Sequence, residues 1–97
     1  MEETNVMRCN ILEAAYQLAQ KDGWNNFKRD DVSDLAGVGA GSVNHHFKTM
    51  SQLRDTVMRK AIQTGCLTIV ADGLAARNKY AQQAPEALKR EALATLI

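Results

Sequence analysis

Gly37 constrains this chain more than any other residue. It stands in the segment RDDVSDLAGVGAGSVNHHF, from Arg29 to Phe47, where apolar and small residues fall at spacings that suit two short helices crossing at a sharp turn. Val32 and Ala36 are placed to face a core from the first helix, and Ser33 has to be small because the second helix passes close over it. Gly37 makes the turn, in a backbone conformation that favours a residue without a Cβ. Val38 fills the space between the two helices and Val43 holds the second one down. The first helix is expected from Lys28 or Arg29 to Ala36, burying Val32, Leu35 and Ala36, and the second from about Ala40 to His46.

The rest of the chain reads as helix as well. Met7, Ile11, Ala14, Ala15 and Leu18 recur at three- and four-residue spacings, which predicts a helix from about Thr4 to Lys21 with one apolar face, ended by Asp22 and Gly23. Trp24 and Phe27 then bracket Asn25 and Asn26, so the following loop is expected to be pinned at both ends by aromatic burial. Thr49 opens a T-x-x-Q capping sequence with Gln52, and a longer helix should start there, with Leu53, Val57, Ala61 and Gly65 on one stripe. Beyond it, helix is expected with bends from Cys66 to about Gln82, and Pro85 suits the first turn of a last helix carrying Leu88, Ala92, Leu93, Leu96 and Ile97. Strand-period alternation is absent apart from very short stretches, so the fold class is all-α.

Ninety-seven residues make one domain, with a core modest enough for partner chains to contribute to its stability. No apolar run approaches the length of a membrane span, and Glu2 and Glu3 stand where a secretory signal would be basic, so a cytoplasmic location is expected. Cys9 and Cys66 are far apart without a CxxC spacing and are read as small helix-packing residues. Met7, Met50 and Met58 are read as gap-filling core, and Arg77, Lys79, Lys89 and Arg90 as a solvated face.

The net charge of +1 says little about partners, but its distribution says more. From Met1 to Asp34 the acidic residues Glu2, Glu3, Glu13, Asp22, Asp30, Asp31 and Asp34 outnumber Arg8, Lys21, Lys28 and Arg29. From Leu35 to Lys60 only Asp55 opposes Lys48, Arg54, Arg59 and Lys60, and both histidines fall there. Positive charge therefore gathers around the second short helix. Its outward positions, Gly39, Ala40, Gly41, Ser42, Asn44 and His45, are short or polar, which lets a helix backbone come close to base edges and phosphates. This pattern is that of a helix-turn-helix reading the major groove of double-stranded DNA.

Four stretches together resemble the N-terminal DNA-binding domain of the tetracycline-repressor (TetR) family: ILEAAYQLAQKDGW (Ile11 to Trp24), the AGV turn (Ala36 to Val38), GSVNHHF (Gly41 to Phe47) and the following Leu53. The resemblance implies a three-helix, homeodomain-like reading head over residues 1–48. A linking helix and C-terminal dimerisation helices would occupy 49–97. It also implies that Gly39, Ala40, Ser42, Asn44 and His45 face the groove, with His46 and Lys48 near the DNA backbone; Lys28, Arg29, Gly41 and Thr49 complete the expected DNA-binding set. Three positions depart from the family's pattern. Asn44 stands in place of an aromatic that touches the backbone, Met50 in place of a lysine, and Arg29 in place of an apolar residue that Phe27 is expected to compensate.

The function expected is that of a homodimeric repressor on a pseudo-palindromic operator, its dimer surface built from Ile69, Val70, Leu74, Leu88, Leu93, Leu96 and Ile97. The 32 residues from Cys66 to Ile97 are too few to enclose a pocket of roughly 300 Å³ or more, so no small-molecule inducer and no cofactor are expected. Compact regulators of this kind suit phages and other mobile elements. The runner-up reading keeps the fold but makes the chain a protein-binding module or antirepressor that heterodimerises with another regulator. An enzyme is not expected. Adjacent His45 and His46 point about 100° apart on a helix and do not converge on a metal. The serines lack a histidine and carboxylate, and the Gly37 to Gly41 stretch lacks the lysine of a phosphate loop.

Overall fold

The computed structural model describes the backbone of residues 2–95 and the side chains of residues 6–95. The described chain is all-helical: α1 (Glu2–Asp22), α2 (Arg29–Ala36), α3 (Ala40–His46), α4 (Met50–Thr64), α5 (Leu67–Ala75), α6 (Lys79–Gln82) and α7 (Glu86–Ala94). Helix α1 lies against α2 and α4, α2 crosses α3, and α4 leads into α5, which in turn packs on α6 and α7. One core runs through all of them, centred on Ile11, Phe27, Val32, Val43, Phe47, Leu53, Val57, Met58, Ile69 and Val70. Each of the larger side chains buried there contributes about 1.5–3 kcal/mol.

The α1 stripe is buried as its periodicity requires, with Ile11, Ala14 and Ala15 inside and Met7 and Leu18 partly covered. After Gly23, whose φ of 103° ends the helix, Trp24 and Phe27 are both buried. Trp24 ties the loop to two distant helices: its amide donates to Asp72 Oδ2 on α5 (3.1 Å) and its indole Nε1 donates to the Arg54 carbonyl on α4 (2.8 Å).

Several expectations are corrected. Leu35 is not core but 51% exposed, because α2 turns Val32 and Ser33 fully inward and Ala36 partly so, leaving Leu35 on the outer side. Gly65 does not continue the buried stripe of Leu53, Val57 and Ala61; it is exposed and caps α4 in a left-handed conformation. Cys9 is exposed on α1 rather than packed. Cys66 is half-buried at the N-terminus of α5. Burial pushes its thiol up, but hydrogen bonds from the Ile69 amide, Thr68, Tyr16 and Gln20 outweigh this and leave it below its ordinary value.

The stretch from Cys66 to Gln82 is not one bent helix. Arg77 takes a left-handed conformation (φ 59°), the Asn78 amide donates to the Gly73 carbonyl, and the Asn78 side chain caps α6 by accepting from the amides of Tyr80 and Ala81. Of the residues expected to form a dimer surface, Ile69 and Val70 are fully buried within the chain itself. Leu74 and Leu88 are partly buried against the same core, and Leu93 is 48% exposed. Leu96 and Ile97 lie outside the described residues. No described helix is long and apolar enough to cross a membrane.

Candidate nucleic-acid interface

Helix α2 begins where an acidic pair favours its positive end: Asp30 and Asp31 lie in its first turn, and Asp31 Oδ2 accepts from the Lys28 amide at 3.2 Å. Arg54 on α4 positions this start. Its Nη2 donates to the Phe27 carbonyl (2.8 Å), its guanidinium lies 5.1 Å from the centre of the Phe27 ring, and its Nε is buried without a partner. Val32 then faces the core, and the buried Ser33 satisfies its hydroxyl on the Asp30 carbonyl at 3.0 Å.

The turn closes as Gly37 adopts φ 72° and ψ 32°. The Val38 amide donates across it to the Ser33 carbonyl at 3.0 Å, a closure that satisfies a carbonyl at the end of α2. Val38 itself is half-buried against the core.

Gly39 caps α3, its carbonyl accepting from the amides of Ser42 (3.0 Å) and Val43 (3.4 Å). Val43 in the middle of the helix and Phe47 just past its end are 1% and 2% exposed and hold it to the core. The opposite face is bare: Gly39, Ala40, Gly41, Asn44 and His45 are exposed, while Ser42 is half-buried. A Cβ built on Gly39 or Gly41 would meet nothing within 4 Å. His46 is half-buried, its ring edge-on to that of His45, with the centres 5.1 Å apart and the planes at 81°. Among the described residues no three His, Cys, Asp or Glu side chains gather as a metal site would require.

The flanks carry the cations. Lys28 and Lys48 are exposed and Arg29 is half-buried. Thr49, exposed at the start of α4, accepts from the Gln52 amide through Oγ1 (3.0 Å). The glutamine side chain reaches back one residue farther than a capping box predicts, accepting from the Lys48 amide at 3.0 Å. Met50 is half-buried and packed on the core, so it serves packing here.

Sequence reasoning missed Arg8. Its guanidinium lies 4.5 Å from the centre of the Phe47 ring, at the end of α3. The available signal was a basic residue one turn ahead of the core residue Ile11, but only the packing of α1 reveals which ring it covers.

The family model described as bacterial regulatory proteins of the tetR family matches residues 11–57, from Ile11 within α1 to Val57 on α4. No curated protein and no solved structure matches the chain.

Proposed function

With residues 11–57 forming the N-terminal helix-turn-helix domain of the TetR family of DNA-binding transcription regulators, we propose that this chain is a homodimeric repressor that lays α3 in the major groove of a pseudo-palindromic operator. The observation that carries the reading is the bare face of α3. Its small residues, Gly39, Ala40 and Gly41, admit close approach at the start of the helix, and Asn44 and His45 stand exposed on the next turn. Asparagine pairs bidentately with adenine, and histidine donates or accepts at a base edge or phosphate. Gly39, Ala40, Gly41, Ser42, Asn44 and His45 would then read bases, with Lys28, Arg29, His46, Lys48 and Thr49 holding the phosphates.

A single seven-residue helix reads too few base pairs for useful selectivity, so two copies on half-sites about 34 Å apart are the natural arrangement. Residues 1–48 act in this reading as the DNA-binding head and 49–97 as the linking and dimerising part. The surface left for a second copy is the exposed edge of α7 at Leu93 together with the partly covered Leu74 and Leu88, since Ile69 and Val70 are consumed by the protomer. The protein acts in the cytoplasm and takes no small-molecule inducer.

A gel-shift titration against the DNA upstream of its own gene tests the reading. Sequence-selective retardation that Asn44→Ala and His45→Ala each abolish is the expected result, with a two-fold footprint. Capture of another regulator without any retardation of DNA would replace it by the heterodimerising module.

A further inference from the structure

Helices α1 and α4 leave a polar cleft of about 410 Å³ between them, walled by Arg8, Thr49, Ser51, Thr56 and Arg59 among others. Asp55, a carboxylate on this wall, is engaged by the Asn78 side chain at 2.9 Å. The cleft reaches the beginning of α4, where the chain has just left α3 through Phe47 and Lys48. Arg8 is half-buried here, its guanidinium laid over the Phe47 ring. A guanidinium stacked on an aromatic is already oriented, so little side-chain freedom is lost when its planar donors meet a phosphate.

We propose that Arg8 is a DNA-backbone contact that carries the interface from α3 and the start of α4 onto α1. This inference rests on the reading of α3 given above. If α3 enters the groove, the residues at its exit lie beside a phosphate ridge, and the cleft shared by Arg8, Thr49 and Ser51 opens at that exit. The contact would fix the tilt of the head on the duplex without reading sequence. Arg59 walls the same cleft but sits over the Tyr80 ring at 5.5 Å. It lies nine residues beyond Met50, about 13 Å farther along α4 from its start. It is therefore placed away from the DNA.

The experiment is fluorescence anisotropy of the full chain on a labelled duplex from its own upstream region, across about 50 to about 200 mM salt. Arg8→Gln should weaken binding about tenfold and lower the slope of log affinity on log salt by about 0.9 per bound protomer. The loss should be alike for operator and unrelated DNA, since a phosphate contact carries no base information. Arg8→Met keeps a long stem against Phe47 and should lose the same slope, Arg8→Lys should regain it, and Arg59→Gln should leave it unchanged. Wild-type slopes in both Arg8→Gln and Arg8→Met, or an equal fall with Arg59→Gln, would overturn the assignment while leaving α3 as the reader. Absence of duplex binding by the wild-type chain would overturn both readings.

Discussion

The Lys60 ammonium on α4 lies 2.6 Å from Glu13 Oε2 on α1, and one turn along the same pair of helices Tyr16 Oη meets Thr64 Oγ1 at 2.8 Å. These two contacts clasp the linking helix to the first helix of the head. The Lys60 hydrogen bond, helped by Gln17 and opposed by slight burial, holds the Glu13 carboxyl below its ordinary value of 4.5. A carboxyl whose value is depressed on folding adds stability above 4.5, and that stability is lost as pH falls through the folded value. The Tm difference between wild type and Glu13→Gln should therefore be positive at pH 7 and shrink steadily as pH is lowered below 4.5. Because Glu13 is half-exposed, the effect should stay within about 1 kcal/mol and shrink in high salt. A difference that is the same at every pH would show that the pair contributes nothing.

Gly37 and Arg77 adopt similar left-handed conformations at helix ends, φ 72° and 59°, and substitution should act on them with opposite signs. Gly37→Ala should cost about 1 kcal/mol, although a Cβ there meets nothing. Arg77→Gly should stabilise by a similar amount, about 1 kcal/mol, by removing the Cβ from that conformation. Urea midpoints of the two variants check both.

Gly73→Ala should destabilise by about 1–3 kcal/mol, measured by denaturant unfolding. The added methyl would come within 2.9 Å of Ala81 Cβ and press on the Met58 side chain, so α6 and α4 must both give. Pairing it with Met58→Ala should recover part of the loss, because the methionine end occupies the same space.

Gly41→Leu separates folding from binding. The position is exposed in the first turn of α3 with open space around it, so the substitution should leave stability unchanged or raise it by less than about 0.8 kcal/mol. Retardation of operator DNA should nonetheless fall more than about tenfold, since a long side chain holds the helix off the groove. Unchanged retardation would mean that this face does not approach DNA.

Trp24→Phe keeps the ring in the core but leaves the Arg54 carbonyl without its indole donor. A loss of about 1–3 kcal/mol is expected in thermal or denaturant unfolding. The loop after α1 should also become more open to hydrogen exchange, because one of the two hydrogen bonds that tie Trp24 to the later helices is gone.

Much of the head was legible residue by residue. Val32, Ser33, Gly37, Val38 and Val43 occupy the places that their sizes demand, and α2 and α3 begin and end where the spacing set them. Their rules are local: a small residue under a crossing, a residue without a Cβ at a left-handed turn. The break at Arg77 was not legible, since neither Gly nor Pro marks it, although Asn78 is a residue type that caps helices well. The Lys48 to Gln52 bond departs from the usual capping box by one residue, a difference set by how the chain enters α4.

Pattern along the chain was enough to establish helices, their turn and the bare character of the α3 face, because hydrophobic period and side-chain size act within a few residues. Packing in three dimensions settled the rest. It put Leu35 in solvent, drew Ile69 and Val70 into the protomer's own core, and set Arg8 over Phe47. Period names the face of a helix that wants cover, but which neighbour supplies the cover depends on helices far apart in sequence meeting at angles that no local residue encodes.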